Sequence, residues 1–274
     1  MKNILIPTDF SENAWNAIAY AVRFFKKSPC NFYLLNVKTP ENTVDSLFDY
    51  NISQVLKIPA KFKLEQTVNR IKSELPKSNN HRFITVQDSN YLVKSIRNIV
   101  EEKQIDFIVM GTKGASDFTA TSLGSNTSHV ITKVKCSTLV VPKNAKFSSL
   151  KEIAFPTDFL TLYSPATLEN INNIVTNNKA SVRVLHIKNR EAILNVEQQE
   201  NKAFLDDYLG DNKHSFHFLT NKQIETQVQN FVENQHINLI TMLARNLNYF
   251  QKILFKPTVP EIKYYSETPF LVLH

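Results

Sequence analysis

A chain of 274 residues with 42% hydrophobic residues is long enough for two ordinary domains, each with its own core. The net charge of +7 mildly favours anionic ligands, but no block of five or more Lys or Arg occurs, so nucleic-acid binding has no specific support. No apolar run reaches the ~20 residues of a membrane span. The opening MKNILIPTDF is too briefly apolar for a signal peptide, and Cys30 and Cys136 form neither a CxxC pair nor a disulfide framework. The expectation is a cytoplasmic protein with two reduced, buried thiols and no membrane contact.

In chain order, Asn3 to Ile6 reads as a buried strand ending at Pro7, with Thr8, Asp9 and Ser11 following as capping residues. Ala14, Trp15, Ile18, Ala19, Val22 and Phe25 recur with helical period, predicting a helix over 12–27 that Pro29 stops, with Trp15 in the core. Asn31 to Val37 is a second strand. A helical region from Val44 to Leu75 is broken or kinked at Pro59. Arg82 to Val86 is a third strand, Tyr91 to Lys103 a helix, and Ile105 to Met110 a fourth strand. A glycine-bearing stretch follows, then a helix over 126–135 and a fifth strand, Ser137 to Val141. Strands alternating with helices predict a parallel sheet covered on both faces, with ligands beyond the carboxyl ends of its strands.

Residues 143–151 read as a polar linker, after which the pattern restarts. Ile153-Ala154-Phe155-Pro156-Thr157-Asp158-Phe159 repeats Ile4-Leu5-Ile6-Pro7-Thr8-Asp9-Phe10. Val182 to Lys188 repeats Phe32 to Lys38, and Ile237 to Met242 repeats Ile105 to Met110. This duplication predicts two similar domains, 1–145 and 150–274. The last strands, Ser137–Val141 and Pro269–Leu273, are apolar sheet edges, and antiparallel pairing between them within the chain would protect both.

The stretch GTKGASDFTATSLGSNT holds three of the chain's 4 glycines: Gly111, Gly114 and Gly124. Glycine spent so sparingly marks a positive φ or a close approach to the backbone. The setting, a strand, a glycine turn and a helix start, suits a phosphate cradle. The second half has Leu243, Asn246 and Lys256 opposite these glycines and Pro257 opposite Ser125. One ligand site, in the first half, is the expectation.

Gly111, Gly114 and Gly124-Ser125, with nine residues between Ala115 and Leu123, together with Ile6-Pro7-Thr8-Asp9-Phe10-Ser11, resemble the universal stress protein family. The resemblance implies an α/β chain of two tandem, doubly wound, five-stranded parallel-sheet domains. Each would have strand order 3-2-1-4-5, a Rossmann-like fold of the adenine nucleotide alpha hydrolase type. It implies an adenine nucleotide, ATP, with any Mg2+ carried by the phosphates. Asp9 would hold the ribose, Pro7, Thr8 and Val37 would border the adenine, and Met110 would lie beside the ligand. Gly111, Gly114, Gly124, Ser125, Asn126 and Thr127 would surround the phosphates. It also implies association of two chains as a homodimer.

Plainer readings stand beside these. Gly111 and Gly114 also suit a tight turn, Ser125 a helix cap, and Asp9 and Asp158 structural caps. His81, His129 and His186 are isolated, and no spacing suggests a metal cage. The P-loop lysine and GxGxxG are both absent. The function expected is a cytoplasmic, ATP-binding stress-response regulator or sensor. The alternatives are a slow ATPase or autophosphorylating protein with Ser125 or a loop threonine as acceptor, and an interaction scaffold without nucleotide.

Overall fold

The structure is a computed structural model that describes residues 1–40, 58–112, 123–160, 163–188, 193–220, 224–244 and 267–274. In the first half, β1 (Lys2–Pro7), α1 (Glu12–Phe24), β2 (Cys30–Lys38) and α2 (Ala60–Glu74) are followed by β3 (His81–Ser89), α3 (Leu92–Lys103), β4 (Phe107–Gly111), α4 (Ser125–Lys133) and β5 (Ser137–Val141). The second half supplies β6 (Glu152–Thr157), α5 (Pro165–Asn178), β7 (Ser181–Lys188), α6 (Val196–Leu209), β8 (His214–Thr220), α7 (Ile224–Asn234), β9 (Leu239–Leu243) and β10 (Phe270–Leu273).

The described residues form two compact units. In the first, which includes Gly124–Cys136, β1 lies between β2 and β4, and β2 pairs onward to β3, all parallel. Strand order is thus third, second, first, fourth. β1 is buried on both faces, with Ile4, Leu5 and Ile6 fully enclosed. That is why it reads as an unbroken apolar run rather than an alternating one. A core cluster around Leu5, Leu35, Ile96, Ile108, Met110 and Val130 joins these strands to α3 and α4.

The second unit, Ser137–His274, repeats the plan and completes it. Its parallel strands run β8-β7-β6-β9-β10, the full 3-2-1-4-5 order. β5 belongs to this unit and pairs antiparallel with β10, with Leu271 opposite Leu139. The antiparallel pairing expected of the two last strands is therefore present.

Local chemistry sets the helix ends. Ser11 accepts the Ala14 N–H at 3.2 Å to start α1, whose inward face is Ala14, Ala17, Ile18, Ala21 and Val22. α1 ends at Phe24, earlier than Pro29 alone suggested, because the Lys26 N–H turns back to the Arg23 carbonyl and Phe25 dives into the core. Pro59 stands just outside α2 as its cap, which locates the break read from the sequence; the region 41–57 lies outside the described residues. α5 begins with Ser164 and Pro165, and α6 with a reciprocal Asn195–Gln198 box.

Two expectations change. Trp15 is not core: it is half-buried under the Arg70 guanidinium, 4.0 Å from its ring centroid, while Arg70 also pairs with Glu12 and Glu74. The segment 143–151 is not wholly a solvated linker, since Ala145 and Leu150 are buried. Cys30 and Cys136 are buried free thiols; burial pushes Cys30 up to about 11 and Cys136 up to about 12.

Candidate functional site

At the carboxyl ends of β1, β2 and β4 the first unit opens into a cavity of about 360 Å³. This is within the range of small-molecule sites. Its lining is chemically mixed. Val37 from β2, Leu92 and Val93 from α3, and Met110 from β4 are apolar and all belong to or pack on the core cluster. Thr8, Asp9, Asn36, Gly111, Asn126 and Thr127 add polar side chains and bare backbone to the same lining.

The turn after β1 is held by its own side chains. The Thr8 hydroxyl accepts the Phe10 N–H at 3.1 Å, and Phe10 takes the left-handed conformation with φ of 66°. Asp9 Oδ1 accepts both the N–H of Ser11 at 3.0 Å and its hydroxyl at 2.6 Å. The Asn36 amide donates to the Thr8 carbonyl at 2.8 Å, fixing the end of β2 against the turn. Asp9 is exposed and is the only carboxylate among the described lining residues.

β4 delivers Gly111 and α4 begins at Ser125. Gly124 caps the helix with φ of −59° and no side-chain hydrogen bond, so the first-turn N–H groups of α4 face outward at the positive end of its dipole. The Gly124 N–H donates to the Thr112 carbonyl at 2.7 Å, and the Thr127 hydroxyl to the Gly111 carbonyl at 2.8 Å. These two bonds position the helix start beside the strand end.

Neither Gly111 nor Gly124 needs positive φ; among the described glycines only Gly210 has it. The close-approach alternative holds at Gly111. A Cβ built there would lie 2.7 Å from Asn13 Nδ2 and 2.9 Å from Asn13 Cγ, so the side chain of α1 occupies the space a larger residue would take.

The cavity thus gathers Pro7, Thr8, Asp9, Val37, Met110, Gly111, Asn126 and Thr127. Gly124 is buried at the start of α4 and Ser125 is exposed there; neither lines the cavity. Gly114 lies outside the described residues. Sequence reasoning missed Ala14, Leu35, Asn36, Thr39, Tyr91, Leu92, Val93 and His129. Tyr91 to Val93 follow the carboxyl end of β3, so treating that loop like the other two strand-end loops would have found them. No group of three or more His, Cys, Asp or Glu placed to hold a metal occurs among the described residues.

The second unit repeats the turn and fills the ground above it. Thr157 accepts the Phe159 N–H at 2.9 Å, Phe159 has φ of 57°, and Asp158 accepts the Leu160 N–H at 3.0 Å. His186 stands where β2 has Asn36 and bonds the Thr157 carbonyl at 2.9 Å. The fully buried Phe159 ring stacks on it at 5.0 Å. Gln198 and Asn201 of α6 donate to the Asp158 and Phe159 carbonyls. Tyr163 closes further, its hydroxyl bonded to that of Thr157. Leu243, buried at the end of β9, stands where β4 has Gly111.

The Universal stress protein family profile matches residues 1–142. Among solved structures, a universal stress protein from Archaeoglobus fulgidus DSM 4304 is similar with a TM-score of 0.62 at 15% identity, over 98% of this chain and 97% of that one. A protein of unknown function from Pseudomonas aeruginosa PAO1 is similar with a TM-score of 0.61 at 12% identity, over 100% of this chain and 92% of that one. At these identities the likeness is one of fold. No curated protein sequence matches the chain. The profile spans more than half of the chain, over the strands and helices just described: the protein belongs to the universal stress protein family.

Proposed function

We propose that the first unit binds an adenine nucleotide, ATP, and that the protein acts as a cytoplasmic stress-response regulator or sensor. The observation that carries the reading is one cavity lined both by an apolar set and by an uncapped helix start. Val37, Leu92, Val93 and Met110 suit a heterocyclic base, and the first turn of α4, which brings Asn126 and Thr127 into the lining, suits phosphates. On this reading Asp9, exposed in the same lining, accepts ribose hydroxyls. With one carboxylate in the described lining, already engaged by Ser11, any Mg2+ would be carried by the phosphates.

On this reading Asp9, the only acidic side chain in the described lining, sits on the ribose side. Positioning without a base among the described lining residues favours holding ATP over turning it over. Family membership supports the stress-response role. Pairing of two chains into a homodimer is part of the same proposal.

Titration of the purified protein with ATP, read by calorimetry and native mass spectrometry, tests it. The expected result is saturable uptake of one nucleotide per chain. Absence of uptake at millimolar ATP overturns the reading.

A further inference from the structure

We propose that Tyr91 covers the base of the bound nucleotide and sets the preference of the site for a planar aromatic ligand. The inference deepens the nucleotide reading and rests on it.

Tyr91 is the most exposed aromatic residue among those described, at 61%. It lies at the mouth of the cavity, directly before Leu92 and Val93 of the apolar wall. Its backbone is fixed. Asn90 Oδ1 accepts its N–H at 2.9 Å, and its carbonyl accepts the Ser95 N–H at 3.0 Å as the first bond of α3. The register of β2 on β3, with Val37 opposite Asp88 and Lys38 opposite Ser89, brings this helix start beside the end of β2.

The apolar wall is aliphatic and belongs to the core: Val37, Leu92 and Val93 pack on the cluster that holds Leu35 and Met110. A base laid against it has one face covered by protein and one face left to water. Tyr91 supplies the only phenyl-type ring in the described lining. Stacking of a base on an aromatic side chain tolerates any base but rejects ligands that lack a π-face. Two χ angles allow the exposed phenol to swing over the base at small entropic cost. Tyr91 therefore acts on the base and leaves the phosphate end untouched.

The experiment compares ATP, adenosine and inorganic tripolyphosphate binding in the parent, Tyr91→Ala and Tyr91→Phe. Tyr91→Ala is expected to raise the Kd for ATP and for adenosine by about tenfold, within the range of base–aromatic stacking. Tyr91→Phe stays within about twofold of the parent, and tripolyphosphate binds all three alike. A Tyr91→Trp variant adds a reporter whose emission ATP and adenosine quench and tripolyphosphate does not. At 61% exposure none of these changes threatens the fold. ATP binding unchanged in Tyr91→Ala overturns the inference and leaves the nucleotide reading standing. A parent that binds neither ATP nor adenosine overturns both.

Discussion

The hydroxyl of Thr127 donates to the carbonyl of Gly111 at 2.8 Å and is 2% exposed. One bond thus ties the last residue of β4 to the first turn of α4. It also commits the only proton of that hydroxyl, so on the nucleotide reading Thr127 offers a ligand its backbone N–H. Thr127→Val keeps the shape and removes the bond, leaving the half-buried Gly111 carbonyl short of a partner. The expected loss is about 1–2 kcal/mol of stability, read by urea unfolding, together with weaker ATP uptake as the helix start loosens. Thr127→Ser should restore most of both.

Gly111 makes a second constraint from the other side. Gly111→Ala places a methyl group 2.7 Å from Asn13 Nδ2, a separation no native contact shows, so the amide must move. We expect a loss of about 1–3 kcal/mol, typical of overpacking. Asn13→Ala in the same chain should recover much of it, because the two changes share one space. A double-mutant cycle by denaturant unfolding reads the coupling directly; strictly additive effects would show that the clash is relieved elsewhere.

Asp9 and Asp158 form an internal control. Each accepts a backbone N–H two residues ahead, so Asp9→Ala and Asp158→Ala should each cost about 0.5–1.5 kcal/mol. Only Asp9 lies in an open cavity. Asp9→Ala is therefore expected to weaken ATP binding by about tenfold or more, about 1.4 kcal/mol for each factor of ten, while Asp158→Ala leaves it unchanged. Calorimetric titration of both variants distinguishes a ribose contact from a turn residue.

A pH-dependent contribution comes from His214 on β8. Burial by itself lowers its pKa, but the bond to Asp206 at 2.6 Å and the bond to the Asn212 carbonyl outweigh this, and the net shift is upward. A group whose folded pKa is raised stabilises the fold fully below its unfolded pKa and loses that contribution as pH rises through the folded value. Stability should thus fall as pH climbs past the ordinary imidazole range near about 6.5. His214→Gln and Asp206→Asn should each flatten that part of a thermal-melt profile. A profile unaltered by both would remove the ion pair from the account.

Most of the architecture was legible because it rests on periodicity. Ile4-Leu5-Ile6 and Ile153-Ala154-Phe155 read as buried strands because no polar residue interrupts them, and both are. The repeated Pro-Thr-Asp-Phe foretold two copies of one turn, though not that Phe10 and Phe159 both adopt left-handed backbone, an unfavourable state for phenylalanine that the preceding Thr and Asp bonds enforce. The glycines were legible as a close approach at Gly111 but not as to what approaches; the partner, Asn13, is 98 residues away in the chain. Tyr91 was legible only through its place after the carboxyl end of β3; by itself, an aromatic residue opening a helix looks like any other. The loss of glycine in the second half was legible too, but not its packing. That the space would be taken by Phe159 on His186 depends on register between β6 and β7, which no local pattern reveals.

The filled second crevice has a consequence for how such a protein can change. In a dimer of identical chains every substitution appears twice, once in each copy. A mutation that brought the counterparts of His186 and Tyr163 into one crevice would bring them into the other as well. Here the two copies are written separately along one chain. Among the described residues, His186 and Tyr163 of the second copy pack beside its turn, and each copy can change without the other. Duplication in tandem made asymmetry heritable.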